Sequence, residues 1–120
     1  MKLKRIDGPD SLIYFFCPGC RELHPFDKRW TFNGDFERPT FSPSLRLGPS
    51  WRMPTGWDSD AAPKNPDGSL ILGPEGRILG SVEHTCHLFL RDGQLQFLSD
   101  CTHELAGKTV QLPDLPEWAL

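Results

Sequence analysis

Read as apolar against polar positions, the chain alternates with a period of two in short runs, and it nowhere holds a helical period over about 10 to 12 residues. Runs of aromatic, β-branched and leucine residues bounded by turn formers predict strands over Leu12–Phe16, Trp30–Asn33, Thr40–Leu47, Leu70–Leu72, Ile78–Val82, Thr85–Arg91, Gln94–Ser99 and Thr109–Leu112. Twelve prolines and eleven glycines cut the sequence into these pieces. The pattern predicts one mostly β domain over 1–120, a small antiparallel sheet or sandwich with long loops. Residues 48–80 read as a long loop or insertion that carries Trp51 and Trp57, placed to cover a site, grip a partner or pack back on the domain. Glu104–Gly107 hints at one helical turn, and residues 113–120 read as an extended tail with Trp118 as a surface anchor.

Asp92-Gly93 is a strong two-residue hairpin signal. Closing it pairs Arg91 with Gln94, Leu90 with Leu95, Phe89 with Gln96, Leu88 with Phe97, His87 with Leu98 and Cys86 with Ser99. Pleat alternation then sorts the side chains. Cys86, Leu88, Leu90, Leu95, Phe97, Ser99 and Cys101 share one face, whereas His87, Phe89, Leu98 and Asp100 share the other. Continued strands bring His84 and His103 to the cysteine face. The sorting holds only for an unbroken ladder, since one bulge swaps the faces.

Composition narrows the chemistry. The net charge is −3 and the basic residues are scattered, which leaves no electrostatic footprint for nucleic acid. The segment M-K-L-K-R-I-D-G lacks an apolar stretch behind its charges, and no apolar run is long enough to span a bilayer, so the expected location is cytoplasmic. In a reducing compartment four cysteines read as metal ligands before they read as disulfides. Cys17 and Cys20, in F-F-C-P-G-C-R-E-L-H, have the spacing of half a tetrahedral zinc site. Cys86 and Cys101 are the expected second half, with His103, His24 and His84 as alternates. One structural Zn2+ would staple the N-terminal turn to the hairpin. His24, followed by Pro25, reads more readily as a surface imidazole or one that supports a ligand.

On the other face, a histidine diagonal to a carboxylate is the base-and-orienter half of a nucleophilic triad, although such pairs also serve as plain structural hydrogen bonds. The run R-P-T-F-S-P-S-L-R-L places Thr40, Ser42 and Ser44 on one side of a proline-stiffened segment. Ser44 is the expected nucleophile, because regular strand resumes directly after it; Ser42 is the alternate. His87 is then the base and Asp100 its orienter. Asn33, in the Asn33-Gly34 turn, is a candidate oxyanion donor or simply a hairpin turn residue.

Taken together, F-C-P-G-C-R-E-L-H, W-T-F-N-G-D-F-E-R-P-T-F-S-P-S-L and C-H-L-F-L-R-D-G-Q-L-Q-F-L-S-D-C-T-H-E-L-A-G-K-T-V-Q-L-P resemble a small family of uncharacterised-domain proteins from tailed phages and bacteria, often carried under the name "ammonia monooxygenase". That name suits a membrane copper enzyme, and nothing in the sequence has that character. Relatives stand beside bacterial ubiquitin-like conjugation genes, where the family looks like a serine-type peptidase acting on ubiquitin-like proteins. The resemblance implies active-site roles for Ser42 or Ser44, for His87, and for Asp100 or His103. The leading expectation is a serine-type hydrolase whose protein partner is ubiquitin-like. The alternatives are a noncatalytic zinc module that binds a host protein through Trp51 and Trp57, and a zinc hydrolase with Glu83 or Glu104 as base.

Overall fold

The alternating run L-I-Y-F-F-C forms a strand that turns back on itself through the Cys-Pro-Gly-Cys segment, and a first sheet grows from that hairpin. In the computed structural model, which describes residues 1–8, 11–54 and 56–120, this sheet comprises Lys4–Ile6 (β1), Leu12–Cys17 (β2) and Glu22–Phe26 (β3). All its pairings are antiparallel, in the order β1-β2-β3. A second antiparallel sheet, ordered β4-β5-β6-β7-β8, contains Thr31–Phe32 (β4), Phe41–Arg52 (β5), Val82–Arg91 (β6), Gln94–Phe97 (β7) and Thr109–Gln111 (β8). The fold is therefore mostly β, as the alternation predicts.

The differences from expectation have local causes. β3 is absent from the predicted strands because Pro25 interrupts E-L-H-P-F. It lies at the edge of its sheet, where a missing N–H costs no ladder bond on the open side. β1 is too short and too charged to show a period. β5 runs five residues past Leu47, through Gly48 and Pro49, to a closing pair of Arg52 with Val82. The long loop thus begins after Arg52 rather than at 48; its Thr55 lies outside the described residues. The strands expected over 70–72 and 78–82 reduce to isolated bridges, Lys64 with Leu70 and Leu72 with Ile78, while Val82 joins β6. The tail ends in a 3-10 turn, Glu117–Ala119, with Trp118 exposed and edge-on to Phe16. Residues 104–107 form turns.

The core lies between the sheets. Leu88, Leu90, Leu95 and Phe97 from the β6–β7 hairpin are buried there beside Phe15 and Phe26 from the first sheet. Phe26 stacks on Phe41 at 4.0 Å between ring centroids and on Phe15 at 5.3 Å; Phe41 stacks in turn on Phe32 at 4.6 Å. Such stacks add about 0.5–1.5 kcal/mol per pair beyond the area they bury. This column of rings fixes β3 against β5, and with it the placement of everything the two strands carry.

Candidate functional site

The hairpin register is the predicted one from the turn up to Leu88 and Phe97. There the ladder stops. Leu98 still donates its N–H to His87 O at 2.9 Å, but Cys101 N–H bonds Leu98 O at 3.2 Å, so the chain turns instead of continuing as strand to Ser99. The turn delivers Asp100 to His87: Oδ2 lies 3.1 Å from Nδ1.

The other imidazole nitrogen meets β5. Phe41 pairs with Leu90 and Leu45 with Leu88, so Ser42, Pro43 and Ser44 stand opposite Phe89 alone, in a bulge. Beyond it Arg46 pairs directly with His87, which sets Ser44, two residues earlier, on the face that His87 occupies. Ser44 Oγ lies 3.2 Å from His87 Nε2. Trp30 holds the same residue from behind, its indole N–H donating to Ser44 O at 3.3 Å. Ser42 pairs with Thr31 instead. With the Asp100 carboxylate on Nδ1, that nitrogen carries the proton and Nε2 is free to accept from the Ser44 hydroxyl. The side chain of His87 is 22% exposed and that of Asp100 46%, so the arrangement opens on solvent. Asn33 has no part in it. Its amide donates to Arg38 O at 3.1 Å and its carbonyl accepts from Asp35 N at 3.1 Å, which ties the side chain into its own turn.

On the opposite face of β6, sulfur gathers. The ligand atoms of Cys17, Cys20, His24 and Cys86 all lie within 4.8 Å of one another, a set that could hold a zinc ion. Local structure brings them there. Arg21, in the left-handed region with φ 59°, donates its N–H to Cys17 O at 2.7 Å and closes the turn that bears Cys17 and Cys20. Cys17 pairs with Glu22 across the β2–β3 hairpin, so His24, two residues on, projects to the same side as Cys17. β6 contributes Cys86, whose Sγ is 3.9 Å from that of Cys17.

His24, an alternate in the expected ligand set, joins Cys17, Cys20 and Cys86 in this cluster, whereas Cys101 groups with Cys86 and His103. His24 is 2% exposed rather than a surface group, and its Nε2 is buried with no hydrogen-bond partner among the described residues. An orphaned buried nitrogen costs about 1–3 kcal/mol; coordination beside three thiolates would satisfy it. The thiols tell the same story. Hydrogen bonds from the Cys20 and Cys86 side chains hold Cys17 far below its ordinary value. In response Cys20 is pushed up to about 12 and Cys86 is pushed up as well, each chiefly by its hydrogen bond with Cys17. Sulfurs crowded this closely oppose one another's ionisation; a divalent cation would let all three ionise.

The alternates His103 and His84 surround this set. His103 accepts at Nδ1 from Leu105 N–H at 3.2 Å, so its proton sits on Nε2, which points at Cys86 Sγ from 3.5 Å. That is a donor supporting a sulfur, as outer partners of metal ligands do. Its ring lies flat against the turn, where a Cβ on Gly19 would collide with it. His84 Nε2 is 3.3 Å from Cys20 Sγ. Burial is the main cause that holds both imidazoles below their ordinary values. A shallow cavity of about 320 Å³, bordered by Cys20, His84, His103, Arg52, Glu83 and Thr102, opens beside them. Cys101 falls instead with Cys86 and His103, its sulfur turned to the backbone of His87.

With this geometry in place, comparison with known proteins identifies the relationship. The family described as "Bacterial ubiquitination-like system serine protease (BubE)" matches residues 3–98. The chain belongs to this family. The BubE match agrees with the resemblance carried by the sequence segments. It takes in Ser44, His87 and the Cys17, Cys20, His24, Cys86 set, and it stops just short of Asp100, Cys101 and His103. No curated protein and no solved structure matches the chain. Of the residues sequence reasoning undervalued, His24 is the main one. Its signal was the period of two running backward from Phe26, masked by Pro25.

Proposed function

We propose that this BubE-family chain is a serine-type peptidase that cleaves the bond following the C-terminal tail of a ubiquitin-like protein, with Ser44 as nucleophile, His87 as general base and Asp100 as orienter. The observation that carries the reading is the disposition of the two imidazole nitrogens: Nε2 on the Ser44 hydroxyl and Nδ1 on the Asp100 carboxylate. A histidine paired only with a carboxylate would be an ordinary structural contact. One that also holds a serine in a bulge, within 3.2 Å, is placed to take its proton.

In this reading Ser44 Oγ attacks the scissile carbonyl carbon as its proton passes to His87 Nε2. The imidazolium keeps its Nδ1–H on the Asp100 carboxylate, which offsets the new charge. As the tetrahedral adduct collapses, Nε2–H is given to the leaving amine, and the tail stays esterified to Ser44. Water then attacks the ester while losing a proton to Nε2, which returns it to Ser44 Oγ as the tail leaves with a free carboxylate. The open face suits this work, because a flexible tail on a folded partner reaches a half-buried serine beside a solvent-facing His-Asp pair more readily than one in a deep cleft.

We assign Cys17, Cys20, His24 and Cys86 to one Zn2+. Four protein ligands are those of a closed, structural site, so a bound ion would supply cross-linking of the first hairpin to β6. The sulfur-rich set is the reason a zinc hydrolase using Glu83 or Glu104 is the poorer account. The test uses fusions of bacterial ubiquitin-like proteins bearing a C-terminal extension, together with a fluorophosphonate probe. Wild-type protein is expected to cleave at the tail and to take one label, and Ser44→Ala to do neither. Undiminished cleavage or labelling in Ser44→Ala, or an inert metal-loaded wild type, would overturn the assignment.

A further inference from the structure

Cys101 is the cysteine outside the four-residue cluster; its sulfur lies near Cys86 and His103, and it makes two hydrogen bonds to the His87 backbone. Cys101 Sγ accepts the His87 N–H at 3.2 Å and donates to His87 O at 3.1 Å. A thiol can do both at once. The two contacts fall where the β6–β7 ladder has given out, beyond the pair of Leu88 with Phe97. The sulfur therefore accepts the His87 N–H that Leu98 O would have taken in a longer ladder, and it shares His87 O with Leu98 N–H, which still donates there at 2.9 Å. Cys101 is 7% exposed, and the next residue ties the turn down again, with Thr102 N–H on Thr85 O at 3.0 Å.

The arrangement bears on the serine site through chain order. Asp100 immediately precedes Cys101, so the turn that seats the sulfur also sets the carboxylate on Nδ1. On one side of β6 the thiol fixes the His87 peptide, and on the other the carboxylate fixes its ring. The geometry points to Cys101 as a positioning residue of the Ser44–His87–Asp100 site rather than a metal ligand. This rests on the peptidase reading for its catalytic consequence, though the structural claim stands apart from it. A thiolate bound to a metal would have no proton to give His87 O, and that contact would be lost.

The test compares Cys101→Ala with Cys101→Ser in the metal-loaded full chain. Serine keeps a donor and an acceptor at the same place; alanine keeps neither. Cys101→Ala is expected to lower kcat and the rate of fluorophosphonate labelling on the order of 100-fold, the scale of a small misplacement of a reacting group. KM for the ubiquitin-like fusion and metal content should stay as in wild type, and Cys101→Ser should recover most of the loss. The second readout needs no turnover: the Nδ1–H resonance of 15N-labelled His87 should be visible in wild type and Cys101→Ser and broadened away in Cys101→Ala. Wild-type kcat with an intact His87 resonance in Cys101→Ala would overturn the proposal. So would loss of the metal from both variants, which would make Cys101 a ligand. A wild type with no Ser44-dependent activity would sink the peptidase reading alone, and the resonance would still decide whether Cys101 holds His87.

Discussion

Cys86 and His87 are neighbours on one strand, yet they belong to different environments. Cys86 is fully buried among sulfurs and imidazoles, whereas His87 faces a hydroxyl and a carboxylate at the surface. The inner cluster is held by closed elements: a tight turn, a hairpin diagonal and a central strand. The outer one is built from irregularities, the bulge at Ser42–Ser44 and the turn that replaces the end of β7. Regular structure puts like groups on like faces, and departures from it bring unlike groups into reach of one another. Cross-linking needs the first, and proton transfer between a serine and a histidine needs the second.

The largest effect should follow from removing the inner site. Chelation, or Cys86→Ser, forfeits metal-binding energy that in small zinc domains reaches about 10 kcal/mol, and the thermal transition should collapse together with activity. A chelated protein that melts as before would dissolve the distinction between a structural inside and a chemical outside.

Next in size, Ser44→Ala and His87→Ala should each lower turnover on the order of 10⁴- to 10⁶-fold. Melting temperature and zinc stoichiometry should be unaffected, because neither residue belongs to the sulfur set. Joint loss of metal and activity in either variant would show that the two faces are one site.

A smaller change tests what aligns them. Phe26→Ala removes the ring that joins β3 to β5, which should cost about 3–5 kcal/mol in denaturant unfolding and raise the midpoint dependence on metal. Least of all, Glu22→Gln breaks the ion pair with Arg52, 2.6 Å long and only partly buried. The expected loss is about 0.2–1 kcal/mol, reduced further by salt; a larger one would assign Glu22 a part in holding the His24 ring, whose Nδ1 it approaches to 4.0 Å.

How far the sequence disclosed all this depended on whether a rule was local. Asp92-Gly93 set the hairpin register through Phe97 because a two-residue turn and a period of two leave no freedom. His87 and Asp100 were correctly brought together, although by a turn rather than the ladder that suggested it. The nearness of Ser44 rather than Ser42 to His87 agrees with the strand that resumes after Ser44, but the bulge that aims its hydroxyl is a tertiary feature. Prolines misled twice. Pro25 hid β3, and with it His24; Pro49 seemed to end β5, which continues to Arg52. In both places the ring occupies a position whose N–H the sheet did not need, and only the order of strands reveals which positions those are. Cys101 is expected among the ligands because pairing four cysteines is the simplest use of them, and its contact with the His87 backbone has no signature in spacing.

The closing pair of Arg52 with Val82 makes the β5–β6 connection a socket. Both ends of the loop leave from one rung of the ladder, beyond the rungs that carry Arg46 and His87, so what is inserted there is insulated from the register of either face. Lengthening such a connection twofold costs only about 0.6 kcal/mol in closure entropy. A fluorescent reporter, an affinity tag or a loop borrowed from a relative could therefore be grafted between Met53 and Ser81 without retuning the hairpin.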